Sequence, residues 1–331
     1  MLTKLAYTTL FENFKNKRIL VVGDVMIDAY LFGSVDRISP EAPVPVVAVN
    51  RRENRLGGAA NVALNIKALG AIPILCSVIG ADLKGQEFAS LIEAQAISSA
   101  YLYSSSQRLT TTKFRILANH TQMLRVDEEH IHPLNEAEMY GFLQLLDTIF
   151  ATQKIDAIII EDYDKGVLTP VIIEYLVNKA KEKNIPTTVD PKKRNFSAYK
   201  NVTLFKPNLK EIKEGLKIDF VASNMQALEQ ATEKLREHLG AQMIMLTLSE
   251  DGVVIKEKNK FTHYPAQIRQ IADVSGAGDT VISVATLCLS EGLSAADLAY
   301  IANMSGGLVC EEVGVVPINK ERLLKELLKN E

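Results

Sequence analysis

The sequence predicts an α/β protein of three layers, α/β/α, built on a mostly parallel central sheet with a small β-sheet lid. Three observations predict it. Short apolar runs of strand length recur between longer amphipathic segments, the rhythm of a parallel sheet covered on both faces. The first run, residues 18–23, is apolar throughout and ends in Gly23, the form of a strand buried on both sides. Two stretches, roughly 29–56 and 107–127, break this rhythm with extended residues and prolines. No linker, internal repeat or low-complexity tract divides the remainder, so the expectation is one domain over 1–331 with the lid inserted.

In chain order, Asp24 and Asp28 follow the first strand, at the end where open α/β sheets keep their ligand crevices. The prolines of 36–45 exclude a helix, and 46–49 reads as a strand suited to a sheet edge. Gly57-Gly58-Ala59-Ala60-Asn61 opens a helix that runs to Leu69 and stops at Gly70. Residues 72–79 form the next strand. A second extended region, 108–127, has its turn at Ala118-Asn119-His120. The alternation then resumes with a helix at 135–150, a strand at 157–160, a helix at 168–183 and strands at 186–190 and 202–205. Asn208 opens a helix after Pro207, and 225–239 is amphipathic. Strands at 243–248 and 253–256 flank a turn at Glu250-Asp251-Gly252, and helices at 280–290, 294–308 and 319–329 complete the chain.

Composition narrows the function classes. The 331 residues carry 37 basic and 40 acidic side chains, a formal net charge of −3, which does not suit a nucleic-acid-binding surface. Cys76, Cys288 and Cys310 are odd in number, far apart and set among apolar neighbours, as in a reducing compartment. The first 18 residues lack a secretory apolar core, and no run of about 18 apolar residues occurs, so a cytoplasmic protein without a membrane span is expected.

The chemistry concentrates in Asp273-Val274-Ser275-Gly276-Ala277-Gly278-Asp279-Thr280. Gly276, Ala277 and Gly278 leave backbone N–H groups bare just where a helix begins; such a turn is either a packing turn, the commoner use of Gly-x-Gly before a helix, or an anion site. Asp279 sits inside this turn. An acid beside a bound phosphate is repelled unless it takes the proton of a nucleophile attacking that phosphate, which is phosphoryl-transfer geometry. The helix dipole is expected to hold the Asp279 pKa low. The turn is not a Walker A loop, since no Gly-Lys-Ser/Thr follows, and it lies too late in the chain for a dinucleotide fingerprint. Gly57 and Gly58 would let a ligand touch backbone, and the Asn61 amide can both donate and accept, as a polyhydroxylated substrate requires. Polar groups also follow the later strands: Glu161-Asp162-Tyr163-Asp164-Lys165-Gly166, Asp190-Pro191-Lys192-Lys193-Arg194, and Asn208 with Glu211, a pair that also fits a capping box. Lys165, Lys192, Lys193 and Arg125 favour a substrate that already carries phosphate.

Gly57-Gly58-x-x-Asn61 together with Asp273-x-x-Gly276-Ala277-Gly278-Asp279-Thr280 resembles the paired signatures of the ribokinase (PfkB) carbohydrate kinases, and the resemblance covers essentially the whole chain. The segments 22–28 and 37–47, with Asp162-Tyr163-x-Lys165-Gly166, Asp190-Pro191-Lys192 and Pro207-Asn208-Leu209-x-Glu211, are similar to the kinase half of the bacterial heptose enzymes of lipopolysaccharide synthesis. That subfamily phosphorylates O1 of D-glycero-β-D-manno-heptose 7-phosphate. The resemblance implies a ribokinase-like fold and Asp279 as general base, with the Gly276, Ala277 and Gly278 amides as anion hole. It implies that Asp24, Asp28, Gly57, Gly58 and Asn61 hold the sugar, with Arg125, Asp162, Lys165 and Lys192 also on the substrate side. Asn208 and Glu211 would lie by Mg²⁺ and the triphosphate, Thr247, Ser249 and Gly252 on the nucleotide side, and Asn303 by the adenine. Asp273, Ser275 and Gly314 match positions that bind a monovalent cation such as K⁺ in relatives. ATP and Mg²⁺ are the implied cofactors and a sugar phosphate the partner, with a homodimer formed through the lid. The chain ends at Glu331, so a stand-alone kinase without the nucleotidyltransferase half is expected. Glu161 and Asp164 add negative charge near the sugar's phosphate. Rival readings are a kinase for a hexose, ribose or nucleoside, a non-catalytic sugar or nucleotide sensor, and a dinucleotide-dependent oxidoreductase.

Overall fold

The computed structural model describes residues 2–119, 121–267 and 269–329; His120, in the expected lid turn, lies outside them. In chain order the elements are α1 (Lys4–Asn13), β1 (Arg18–Gly23), β2 (Val25–Ile38), β3 (Pro45–Gly58), α2 (Ala59–Ala68), β4 (Ile72–Gly80), α3 (Leu83–Ala94), β5 (Leu102–Ser105), β6 (Thr112–Ala118) and β7 (Thr121–Glu128). There follow α4 (Glu136–Thr152), β8 (Ala157–Glu161), α5 (Pro170–Glu182), β9 (Thr187–Asp190), β10 (Leu204–Phe205), α6 (Leu209–Leu216) and α7 (Met225–Leu239). The remainder is β11 (Met243–Thr247), β12 (Val253–Lys256), β13 (Phe261–Tyr264), α8 (Ala277–Ser290), α9 (Ala295–Val309) and α10 (Lys320–Lys329).

Nine strands form the main sheet in the order β13-β12-β11-β10-β9-β8-β1-β4-β5. It is parallel from β11 to β5, and β12 and β13 add an antiparallel edge. Successive side chains alternate between faces, so each strand feeds two cores. Val21 and Ile159 meet α1, α2, α8 and α9 on one face, while Val22, Ile158 and Ile160 meet α4, α5 and α7 on the other. Helix caps match the sequence: Asn135 with Glu138 and Asn208 with Glu211 close capping boxes, and Gly240 ends α7 in the left-handed region.

The second sheet has the order β3-β2-β6-β7 and comes from the two stretches that break the βα rhythm. The sequence does not announce its size. β2 runs fourteen residues straight on from Asp24, pairing antiparallel with β3 and parallel with β6. One face carries Asp28, Tyr30, Phe32, Arg55 and Arg115; Arg55 reaches the Val315 carbonyl of the main body at 3.5 Å, so this face is turned inward. The opposite face exposes Val49, Leu124 and Val126.

Candidate active site

α8 starts at Gly276, whose φ of +80° belongs to the left-handed region and whose missing Cβ would lie 3.1 Å from Asn61 Nδ2. The Ala277 N–H turns back to Val274 O (3.3 Å), and the first N–H to find a carbonyl inside the helix is that of Thr280, on Gly276 O (3.1 Å). This corrects the expected anion hole of Gly276, Ala277 and Gly278 amides, because the Ala277 N–H is engaged by Val274 O: the Gly278 and Asp279 amides stand at the helix's positive end without intrahelical acceptors, an arrangement suited to an anion. Asp279, in this first turn, is buried and fixed from two sides. Asn61 Nδ2 donates to Oδ2 (2.6 Å) and the Tyr163 hydroxyl donates to Oδ1 (2.8 Å). Asn61 lies in the first turn of α2, just beyond Gly57-Gly58, so one hydrogen bond joins the N-terminal and C-terminal motifs. Gly58 adopts φ +61°, and a Cβ there would come within 2.4 Å of Asp24 O; no other residue fits that turn.

Three neighbouring strands end with a charged side chain on the face turned toward α8: Glu161 on β8, Asp190 on β9 and Lys206 immediately past β10. Glu161, Asp190 and Asp279 oxygens lie within 4.8 Å of one another. Lys206 Nζ reaches Asp190 at 2.7 Å, and Lys192 Nζ lies 3.7 Å from Asp190 and 3.1 Å from Glu211. Both ammonium groups keep their charge: burial works against it, but Asp190 and Glu211 outweigh burial. The Gly278 Cα faces this pair, and an added Cβ would sit 3.5 Å from both Asp190 Oδ2 and Lys206 Nζ.

The Asp279 pKa corrects the sequence reading. It is raised to about 6, not lowered, chiefly because the carboxyl is desolvated; the Asn61 and Tyr163 hydrogen bonds only partly offset burial, and Asp190 adds to the rise. A dipole effect worth well under a unit does not outweigh loss of solvent on that scale.

Two expected sugar ligands have other work. Asp24 is buried, with Oδ2 accepting from the N–H groups of Tyr163 (2.8 Å) and Lys165 (3.1 Å) and Oδ1 from that of Val167 (3.1 Å). It ties the loop after β8 to the end of β1. Asp162, one residue beyond Glu161, points to the opposite layer, where Tyr199 OH donates to it at 2.5 Å and burial lifts its pKa to about 6. Strand alternation sends Glu161 to the site and Asp162 away from it. Asp28 does lie over Gly57, paired with Arg115 on the lid. The expected phosphate-binding cations already face acids: Lys165 pairs with Glu129 (2.8 Å), Lys193 with Glu214 (3.4 Å), and Arg125 with Asp127 (3.0 Å) on exposed β7.

Among the residues expected on the nucleotide side, Glu211 Oε2 accepts from Asn208 N–H (2.8 Å) while Oε1 meets Lys192, which fixes the carboxylate at the start of α6. Thr247 ends β11 beside Asn208. Ser249 (φ +55°) and Gly252 (φ +90°) shape the turn into β12, and a Cβ on Gly252 would strike Tyr264 O at 2.1 Å. The Asn303 amide donates to Pro265 O (2.9 Å), bracing the end of β13. Asp273 accepts from Ser275 N–H (2.9 Å) and Gly314 N–H (3.0 Å); these donors outweigh desolvation and hold its pKa low. The sequence reading missed Lys206 and the Tyr163 hydroxyl. Lys206 was findable, since it continues the alternation from core residue Leu204; the reach of Tyr163 across to α8 was not.

A family model described as pfkB family carbohydrate kinase matches residues 16–322. The chain belongs to the pfkB family of carbohydrate kinases. Among curated members, the Bifunctional protein HldE of Methylobacillus flagellatus is 41% identical over 309 residues, covering 93% of this chain and 63% of that protein. Its counterpart in Caulobacter vibrioides is 41% identical over 303 residues, covering 91% and 61%. The chain thus spans somewhat less than two thirds of these relatives. Phosphofructokinase-2 from Escherichia coli, solved in complex with potassium, superposes with a TM-score of 0.77 at 17% identity, covering 95% and 98% of the two chains. Arabidopsis thaliana ribokinase complexed with ribose and ATP gives 0.70 at 16% identity, covering 93% and 98%. At these identities the likeness shows the fold, which is ribokinase-like.

Proposed function

We propose that this chain transfers the terminal phosphoryl group of ATP to O1 of D-glycero-β-D-manno-heptose 7-phosphate, giving the 1,7-bisphosphate. The observation that carries the reading is Asp279, held by Asn61 and Tyr163 beside the open amides of α8. The heptose choice rests on the likeness to the HldE proteins and on the motifs that resemble those of the heptose kinases.

In this reading the sugar lies between the lid's inner face and the double glycine, its O1–H against Asp279. The Asn61 Oδ1 atom is buried without a partner among the described residues, as suits an acceptor awaiting a substrate hydroxyl. The Gly278 and Asp279 amides, with Lys206 beneath, stabilise the charge on the phosphoryl oxygens as it moves. Transfer passes through a loose transition state, so the sugar hydroxyl needs its proton removed only late, and Asp279 is basic enough to take it. Glu211, aimed by Asn208 and Lys192, fits a water-mediated contact to Mg²⁺, which when bound with ATP neutralises phosphate charge. A monovalent cation would sit where Asp273 draws Ser275 and Gly314 together. The apolar outer face of the lid, with Val49, Leu124 and Val126 exposed, supports a dimer formed by a second copy.

The pH dependence follows from the base. Asp279 accepts a proton only when ionised, and its pKa stands at about 6, so kcat/KM should fall tenfold per pH unit below that value and level off above it. A pH–rate profile checks this; an acid limb centred near an ordinary aspartate value of about 4 would contradict the buried base. The substrate is tested by coupled ADP release across heptose 7-phosphate, hexoses, hexose phosphates, ribose and nucleosides. The heptose phosphate should give the highest kcat/KM; a higher value for another sugar would overturn the choice of substrate. Nucleotide binding with no turnover on any sugar would favour a sensor.

A further inference from the structure

Glu161 ends β8 with its side chain on the α8 face, wholly buried, and neither carboxylate oxygen has a hydrogen-bond partner among the described residues. One of these oxygens lies within 4.8 Å of both the Asp190 and the Asp279 carboxylates. The positive charge nearby is already engaged: Lys206 holds Asp190 at 2.7 Å, and Lys192 holds Glu211 at 3.1 Å. Tyr163 directs its hydroxyl to Asp279. On the β1 side, at Gly23, there is no side chain at all, since a Cβ would meet Glu161 O at 1.9 Å. An ionised Glu161 would bring two bare anionic oxygens into a buried cluster that already holds two carboxylates, and such groups take up a proton instead.

We propose that Glu161 is a neutral carboxylic acid whose O–H donates into the Asp190–Asp279 carboxylate pair, making it a positioning residue for the base. Burial first, then the charges of Asp190 and Asp279, push its pKa well above the ordinary glutamate value. A small rotation of the acid supplies Asp279 with a third donor beside Asn61 and Tyr163. It also leaves three carboxylates, Asp190, Asp279 and Glu211, facing the two ammonium groups in place of four. The consequence for turnover rests on Asp279 being the base; the protonation itself does not.

The test is made on the substrate-free protein. With ¹³C at glutamate side-chain carboxyls, the resonance lost in Glu161→Gln should stay at the protonated position at neutral pH; an ionised position there overturns the proposal. With ¹³C at aspartate carboxyls, Glu161→Leu should raise the Asp279 midpoint by about half a pH unit or more through loss of a donor. Glu161→Gln, whose amide can donate, should bring it back toward the wild-type value. Equal midpoints in wild type and both variants would remove the positioning role. If the Leu variant does not fold, the wild-type glutamate titration alone decides. Failure of these titrations leaves the kinase reading intact, and a protein inactive on every sugar would leave the titrations standing.

Discussion

Asp279→Asn should lower kcat by about 10²–10⁴-fold while ATP binding stays nearly unchanged. Asparagine keeps the size of the side chain and an oxygen that can accept from either Asn61 or Tyr163, whose bonds to the wild-type carboxylate are 2.6 and 2.8 Å. It removes a charge that burial disfavours, so the fold should persist. In the proposed mechanism it removes the atom that would take the hydroxyl proton. Single-turnover rates with ATP affinity by calorimetry separate the two effects. A variant with more than half the normal turnover would take Asp279 out of the mechanism.

Lys206→Met should destabilise the protein by about 3–5 kcal/mol, the size expected when one partner of a buried ion pair is removed. Lys206 is only 3% exposed, and its 2.7 Å contact with Asp190 compensates a carboxylate that lies among Glu161 and Asp279. Adding Asp190→Asn to Lys206→Met should recover much of the loss, because no charge is then left unpaired. Urea unfolding of the two single variants and the double variant gives the coupling. Additive losses would show that the two side chains do not act as a pair.

Elements formed by local pattern were legible in the sequence, and those held by distant pairing were not. α7 and β12 occupy the residues that their amphipathic and apolar runs predict. β2 was anticipated only as part of the extended lid stretch 29–56, its start and length unread, because its mixed residues, Val25–Ile38, gain strand character from β3 and from β6, about 85 positions away. α1 and α3 also passed unread, and α3 is marked only by the Asp82 cap on Gly85 N–H. In the site, the glycine turn before α8 and the place of Asp279 in its first turn were legible because small residues leave bare amides where a helix begins. Asp24 could not be assigned, since the three amides it binds lie about 140 residues later. Nor does the sequence say which of Glu161 and Asp162 faces α8; alternation separates them, but only the packing of α8 on one side decides.

In the proposed reaction a phosphoryl group crosses to a sugar hydroxyl at Asp279. ³¹P spectra of the protein mixed with ATP, Mg²⁺ and heptose 7-phosphate test it directly. ADP should appear together with a new phosphate resonance coupled to the anomeric proton, with both forming about 10²-fold or more slowly with Asp279→Asn. A new phosphate at any other carbon, or equal product from the variant, would contradict it.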